Sequence, residues 1–488
     1  MGHETLPSAH PHAPLTLART LMLPTAPPID PVVAPTRPVP QPGTPPLAGT
    51  FAPPGAGVAF LLPNSLELGG VTTWALQLAR TLNAQGRPAC IVEHELAPQL
   101  EAGHRTDWTV PSGVRHQRVP IAPWSPTGSE LASIADAYAC ALPAVLVPGY
   151  SAGAYAACAR LSRAHADRLR VVGFAHSDTD YFYDQLAYHE PIVHRFVAVS
   201  ETIAGTLRSR LPASRHPDVV VRPYGIVPPS TAARSYSSPG EPLRLVYAGR
   251  LIETQKRVSR LPELAAALVG LGVDFELVVA GSGPDEALLR SLVEACAPDV
   301  QRRIRLIGRV SYAEMAALWA RADVCVLVSD YEGISISMLE GMCNGAVPVV
   351  PRISGTPMVV RDGETGLSAA PGDVAGLAAA VARLDQDRDA LSRMGRAAQR
   401  EVAGRCDYDA YVRWFADVTH GAWEDAPRRW PRHRPLLPTP PPQAVWNEPR
   451  PNLLRRPRWL AKRVLVQHPF FYNAVRRAYR AGRSLLDA

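Results

Sequence analysis

Two glutamates, Glu332 and Glu340, stand eight positions apart in the run DYEGISISMLEGMCNG from Asp330 to Gly345. The apolar run Val324 to Ser329 before it predicts a buried parallel strand, and Val347 to Val350 predicts a second one after a segment of helix length. The glutamates are therefore expected around a strand-to-helix turn, an arrangement suited to holding a ligand. Gly333, with no side chain, lets a ligand approach the backbone closely. The amides of Ile334, Ser335, Ile336 and Ser337 fall at the helix N-terminus, where unpaired N–H groups and the macrodipole favour a phosphate. Glu340, about two turns into that helix, is placed to accept hydrogen bonds from a diol such as a ribose.

Other polar residues fall at predicted strand ends. Gly249 and Arg250 close the strand that begins at Leu243, and Lys256 follows in GRLIETQKR. Each cation alone is most simply a solvated surface charge; together with the two-glutamate turn they form a pair able to neutralise a departing diphosphate without a metal. Gly69 and Gly70, between the first strand and the first helix, make a second loop through which amides can reach a phosphate, although a Gly-Gly pair alone is an ordinary turn. GSGP at 281–284 lacks the third glycine of a dinucleotide fingerprint, Glu286 standing there, which removes the main support for hydride chemistry. His176 ends a strand in GFAHSDTD, facing the same cleft, though a histidine at such a place is as often structural. Asp178-Thr179-Asp180 has the D-x-D form of a metal site, but Asp385-Gln386-Asp387 and Asp407-Tyr408-Asp409 match it equally well, so no catalytic metal is assigned.

The elements that must position these residues alternate in type. Residues 1–56 are rich in Pro, Ala and Thr and are expected to be disordered. Apolar strand-like runs alternating with helical periods then occupy 57–236 and again 237–408, with a Pro, Gly and Ser linker near 228–242. Strands alternating with helices imply parallel sheets covered on both faces, and two such doubly wound α/β halves place ligands beyond the carboxyl ends of their strands, in the cleft between them. A helix over 409–425 is expected to cross back to the first half. Residues 426–488 form a Pro- and Arg-rich tail that regains helix-forming character over 455–486.

The chain has 488 residues, long enough for two or three domains. Its net charge of +7 is unevenly distributed: residues 426–488 hold 14 Lys or Arg against Glu448 and Asp487, a local +12, and the remainder is at −5. The seven cysteines are scattered and never spaced C-x-x-C, which disfavours zinc and a disulfide framework and fits a reducing cytoplasm. No apolar run reaches the roughly 18 residues of a membrane span, and the N-terminus lacks a signal-peptide pattern. The tail invites two readings. Its aromatic residues Trp459, Phe470, Phe471 and Tyr472 and its cations suit an anionic membrane surface, and equally it could pack on the first half. A nucleic-acid role is disfavoured, because no reading module accompanies the charge.

The chain resembles the family 4 retaining glycosyltransferases of the GT-B fold from about Gly57 to about Trp423. The resemblance rests on ELGGV (67–71), GFAH (173–176), AVSE (198–201), PYGI (223–226), GRLIETQKR (249–257), VVAGSGP (278–284), EGISISMLEGM (332–342) and DGETGL (362–367). It implies that Arg250 and Lys256 hold the diphosphate of a nucleotide-sugar donor, that Glu332 contacts hydroxyls of the transferred sugar, and that Glu340 holds the ribose. Amides from Gly333 to Ser337, with Gly69 and Gly70 across the cleft, would complete the cradle, and His176 would lie beside the reacting sugar. Such enzymes retain configuration by attack on the face from which the diphosphate departs, its oxygen helping to remove the acceptor proton, so no separate base is assigned.

Three departures qualify the resemblance. The usual E-G-F-G-x-P turn reads E-G-I-S-I-S here, which leaves the sugar open. Met358 stands where many relatives have a glutamate. The lysine that precedes the double glycine in starch and glycogen synthases is replaced by Glu67 and Leu68, which disfavours a glucan synthase. The expectation is a cytoplasmic, metal-independent, cofactor-free transferase that moves a sugar from a nucleotide sugar to a glycan or lipid-linked acceptor in cell-surface glycan assembly, with possible membrane contact through 455–486. A GT-B nucleotide-sugar epimerase and a catalytically inactive glycan-binding scaffold are the competing readings.

Overall fold

The computed structural model describes residues 56–62, 69–94, 110–119, 126–149, 151–229 and 234–438. The expected disordered segment up to residue 55, the pair Glu67–Leu68 and the tail helices of 455–486 lie outside the described residues.

Seven parallel strands build the first sheet: β1 (Gly57–Leu62), β2 (Ala89–His94), β3 (Arg115–Val119), β4 (Ala144–Pro148), β5 (Leu169–Ala175), β6 (Arg195–Ala198) and β7 (Val219–Val221), in the order β3-β2-β1-β4-β5-β6-β7. Six more build the second: β8 (Leu243–Ala248), β9 (Phe275–Ala280), β10 (Ile304–Gly308), β11 (Val324–Val326), β12 (Val347–Pro351) and β13 (Leu367–Ala369), in the order β10-β9-β8-β11-β12-β13, again all parallel. Every residue of β4, β5 and β12 is buried, as expected for strands covered by helices on both faces. The strand order reverses beside β1 and beside β8, and a crevice opens at the carboxyl ends where it does so.

Several elements differ from the sequence reading. The strand expected over Val324 to Ser329 leaves the ladder after Val326, with one further backbone bond from the Leu327 amide to the Val349 carbonyl, 3.2 Å. The run from Val219 to Ile226 is a strand only to Val221; beyond it the chain runs irregularly, and Ile226 bridges to Asp407. β3 and β13 were not expected, β3 being the polar edge segment RHQRV. The helix after Gly333 starts at Ile336, so Glu340 lies about one turn in rather than two.

The helix Tyr408–Glu424 lies against the first sheet and the helix Gly70–Ala84. Phe415 stacks on Phe60 at 5.7 Å, and the Trp74 indole donates to the Tyr411 hydroxyl at 2.9 Å. The chain then continues along the first half: Trp430, 2% exposed, packs beside Tyr188 and His189, and Arg163 donates to the carbonyls of Pro431, Arg432 and Arg434. The first thirteen residues of the expected basic tail, 426–438, are thus part of the folded unit. No helix among the described residues is long and apolar enough to cross a membrane.

Candidate active site

The carboxyl ends of β1 and β5 face those of β8, β9 and β11 across a cavity of about 280 Å³. The residues assigned from the sequence to donor binding and catalysis line it: Gly69, Gly70 and His176 on one side, and Gly249, Arg250, Lys256, Gly333, Ile334, Ser335, Ile336, Ser337, Glu332 and Glu340 on the other.

Glu332 is the hub of the second half. It is 5% exposed, and its Oε1 accepts from Lys256 Nζ at 2.6 Å and from the Ser329 hydroxyl at 2.7 Å. Gln255 Nε2 approaches Oε2 at 3.5 Å, which leaves acceptor capacity on that oxygen for a ligand hydroxyl. Lys256 closes the short helix Glu253–Lys256. An ammonium has three donors, so the ion pair orients it and leaves two N–H groups for an anion. The next residue, Arg257, adopts the left-handed conformation at φ 50° and pairs with Asp330, which also accepts from Arg260 at 2.6 Å. Asp330 thereby ties the Lys256 turn to the Glu332 turn. Arg250 precedes that turn, its carbonyl accepting from the Tyr247 hydroxyl at 3.1 Å.

Ser335 caps the helix Ile336–Cys343, its hydroxyl accepting from the Met338 amide at 3.3 Å. The cap satisfies one amide of the first turn, and the remaining donors face the cavity end of the helix. Burial pushes the Glu340 carboxyl up to about 7, an effect the neighbouring Trp319 indole partly offsets. Glu340 therefore titrates in the neutral range.

The two halves meet at the turn itself. A Cβ on Gly333 would stand 2.0 Å from the His176 carbonyl oxygen, and one on Gly70 would stand 2.9 Å from Ile336 Cδ1. What Gly333 admits here is the main chain of the opposite half. The Asp178 amide donates to the Glu332 carbonyl at 3.2 Å, and the Ser354 hydroxyl donates to Asp178 Oδ2 at 2.6 Å. In the D-x-D segment the two aspartates have separate partners: Asp178 takes Ser354 and Tyr183, and Asp180 pairs with Arg210.

The His176 ring is nearly parallel to those of Phe174 and Tyr224, with centroids 5.2 and 6.0 Å away, and the Trp74 ring is edge-on at 5.3 Å. Burial drives its imidazole down to about 3, so the ring is neutral at ordinary pH. Its Nδ1 lies 2.6 Å from the Tyr224 hydroxyl, and its buried Nε2 has no protein partner among the described residues.

Sequence reasoning missed several residues at the cavity. Tyr224 was read only as part of PYGI, and Ser329 only as the end of an apolar run. Gln255, beside Lys256, carried a signal in its position. Tyr312, at the start of the helix Tyr312–Arg321, is 49% exposed and with Met315 lends the cavity an apolar edge.

Residues 230–401 match the family described as "Glycosyl transferases group 1". Among curated proteins, glycogen synthase of Mycobacterium tuberculosis is 36% identical over 194 residues, covering 39% of this chain and 44% of that protein. The putative colanic acid biosynthesis glycosyltransferase WcaL of Salmonella typhimurium is 31% identical over 229 residues, covering 45% and 55%. The chain thus spans about half the length of the curated relatives it matches. Among solved structures, a mutant of S. aureus TarM in complex with fondaparinux, alpha-GlcNAc-glycerol and UDP superposes with a TM-score of 0.61 at 10% identity, over 76% of this chain and 100% of that one. The chain has the GT-B fold, two Rossmann-like halves facing a cleft, and its second half is similar to the group 1 glycosyl transferases.

Proposed function

We propose that the protein is a retaining glycosyltransferase that transfers a sugar from a nucleoside-diphosphate donor to a glycan or lipid-linked acceptor. One observation carries the reading: a buried carboxylate, Glu332, is paired with Lys256 at 2.6 Å and shares one cavity with Arg250, a capped helix N-terminus and a second carboxylate, Glu340. In this reading Glu340 accepts from the ribose diol, while Tyr312 and Met315 offer the apolar edge to the base. The diphosphate is held by Arg250, by the two remaining Lys256 N–H groups and by the amides of the 333–337 turn. Those fixed donors stabilise charge as it develops on the leaving oxygens, and no metal is called on for that role. Glu332 orients hydroxyls of the transferred sugar, and a diphosphate oxygen on the departure face takes the acceptor proton. The relatives' printed names include a glycogen synthase and a colanic acid glycosyltransferase, and TarM was solved with UDP; these support a nucleotide-sugar donor and leave the sugar open.

A panel of nucleoside-diphosphate sugars tests the reading by thermal stabilisation and by release of the nucleoside diphosphate in the presence of EDTA. A donor at a hundred times its Kd should add about 2.7 kcal/mol of stability. Absence of stabilisation by every donor, or turnover abolished by EDTA and restored by a divalent ion, would overturn it.

A further inference from the structure

We propose that Tyr224 is a positioning residue: its hydroxyl donates to Nδ1 of His176 and holds the imidazole as the Nε2–H tautomer, which presents a single N–H donor to an oxygen of the bound donor sugar. The identity of that ligand rests on the glycosyltransferase reading; the tautomer does not.

The ring geometry removes alternatives. The His176 and Tyr224 planes are 5° from parallel, Phe174 lies 12° off with its centroid 5.2 Å away, and Trp74 stands edge-on at 5.3 Å. The imidazole is thereby confined to one orientation, with Nδ1 2.6 Å from the phenol oxygen. Because burial keeps the ring neutral, it carries one proton, on either nitrogen.

The Tyr224 side decides between them. The residue is 2% exposed, and Nδ1 is the acceptor available to its hydroxyl among the described residues. Were Nδ1 protonated, it would donate to the phenol oxygen, and both the phenol O–H and the Nε2 lone pair would be left without a protein partner among the described residues. With the phenol donating, the hydroxyl and Nδ1 satisfy each other and the single group left over is the N–H on Nε2, so this tautomer leaves fewer unmet polar groups. Among the described residues that buried nitrogen has no protein partner, and His176 lines the cavity. An unpartnered N–H at that place is a donor held for a ligand oxygen. Tyr224 reaches it because the chain leaves the sheet after Val221, and the PYGI segment passes beneath the cavity instead of continuing β7.

The test is long-range ¹H–¹⁵N correlation of full-length protein labelled at histidine, the His176 signals being assigned by their loss in His176→Gln. The expected result is a protonated Nε2 and a hydrogen-bonded, unprotonated Nδ1 in the unsubstituted protein, giving way to a mixture of tautomers in Tyr224→Phe. An Nδ1–H tautomer in the unsubstituted protein, or an unchanged tautomer in the variant, overturns the proposal. The first outcome needs no variant, so a folding defect in Tyr224→Phe does not blunt the test. Neither outcome depends on finding a substrate, so a failure of the glycosyltransferase reading would remain distinguishable.

Discussion

Lys256 and Glu332 compensate each other in a site where neither is much exposed, so removing one leaves the other buried and unpaired. Lys256→Ala and Glu332→Gln should each lower donor turnover by about 10²-fold or more, the size found for preorganised charge contacts. Initial-rate measurement with the donor identified in the panel checks this, and near-normal rates would return the scaffold reading. Glu340 predicts a pH dependence. Its carboxyl is raised to about 7, and the ionised form is the better acceptor for a diol. Donor affinity should therefore rise with pH, by about tenfold between pH 6 and 8, with a proton released on binding at the lower pH. Glu340→Gln should flatten the profile, as read by titration calorimetry at several pH values. In the free protein the sign is opposite: a folded carboxyl that holds its proton more tightly than the unfolded one contributes stability at low pH that is lost as pH rises through 7.

At the scale of elements, the Gly333 turn is where the halves touch, and Gly333→Ala introduces a methyl group where the His176 carbonyl already stands. The displacement should cost about 1–3 kcal/mol of closure and lower turnover by tenfold or more, with nucleotide binding to the second half retained. Stopped-flow binding beside steady-state rates separates these effects. Asp323, fully buried at the start of β11, supports the second half: burial alone would raise its carboxyl, but bonds from Arg244 and from the Arg244 and Ser237 amides hold it below the ordinary range. Asp323→Ala should destabilise that half by about 3–5 kcal/mol, seen as a lowered melting temperature. These elements also show what was legible beforehand. The glutamate pair, the cations and the glycines could be placed from sequence because they fall in the segments that follow apolar runs, and apolar runs mark buried parallel strands. β3 escaped because RHQRV lies at a sheet edge, where no apolar pattern is required. The early end of β11 escaped because Leu327, Val328 and Ser329 are as buried as the strand before them, and burial does not distinguish a ladder from a tightly packed loop. Tyr224 escaped for a related reason: its role depends on a histidine 48 positions away, and no local period encodes that distance.

Across the whole molecule, the C-terminal region is described to residue 438. Residues 426–438 are anchored by Trp430 and by the bonds from Arg163, and Trp430→Ala should destabilise the first half by about 3–5 kcal/mol, measured as a fall in melting temperature. A test of membrane association should accordingly compare full-length protein with a chain ending at Pro438, since ending it at Asp425 removes part of the fold. Flotation with vesicles rich in phosphatidylglycerol should lift the full chain and leave the shortened one behind; equal flotation rejects a membrane role for the tail. The segment from His176 to Asp178 joins the two scales. Its imidazole faces the cavity, its carbonyl rests on Gly333, and its aspartate is held by Ser354 of the opposite half. The group that would touch the sugar and the group that clasps the halves are thus two residues apart on one rigid stretch. On the proposed reading, a donor bound to the second half alone would lack the His176 side of its site until the clasp closed. In the proposed transferase, the share of sugar lost to water instead of transferred would be set by how long that clasp stays shut.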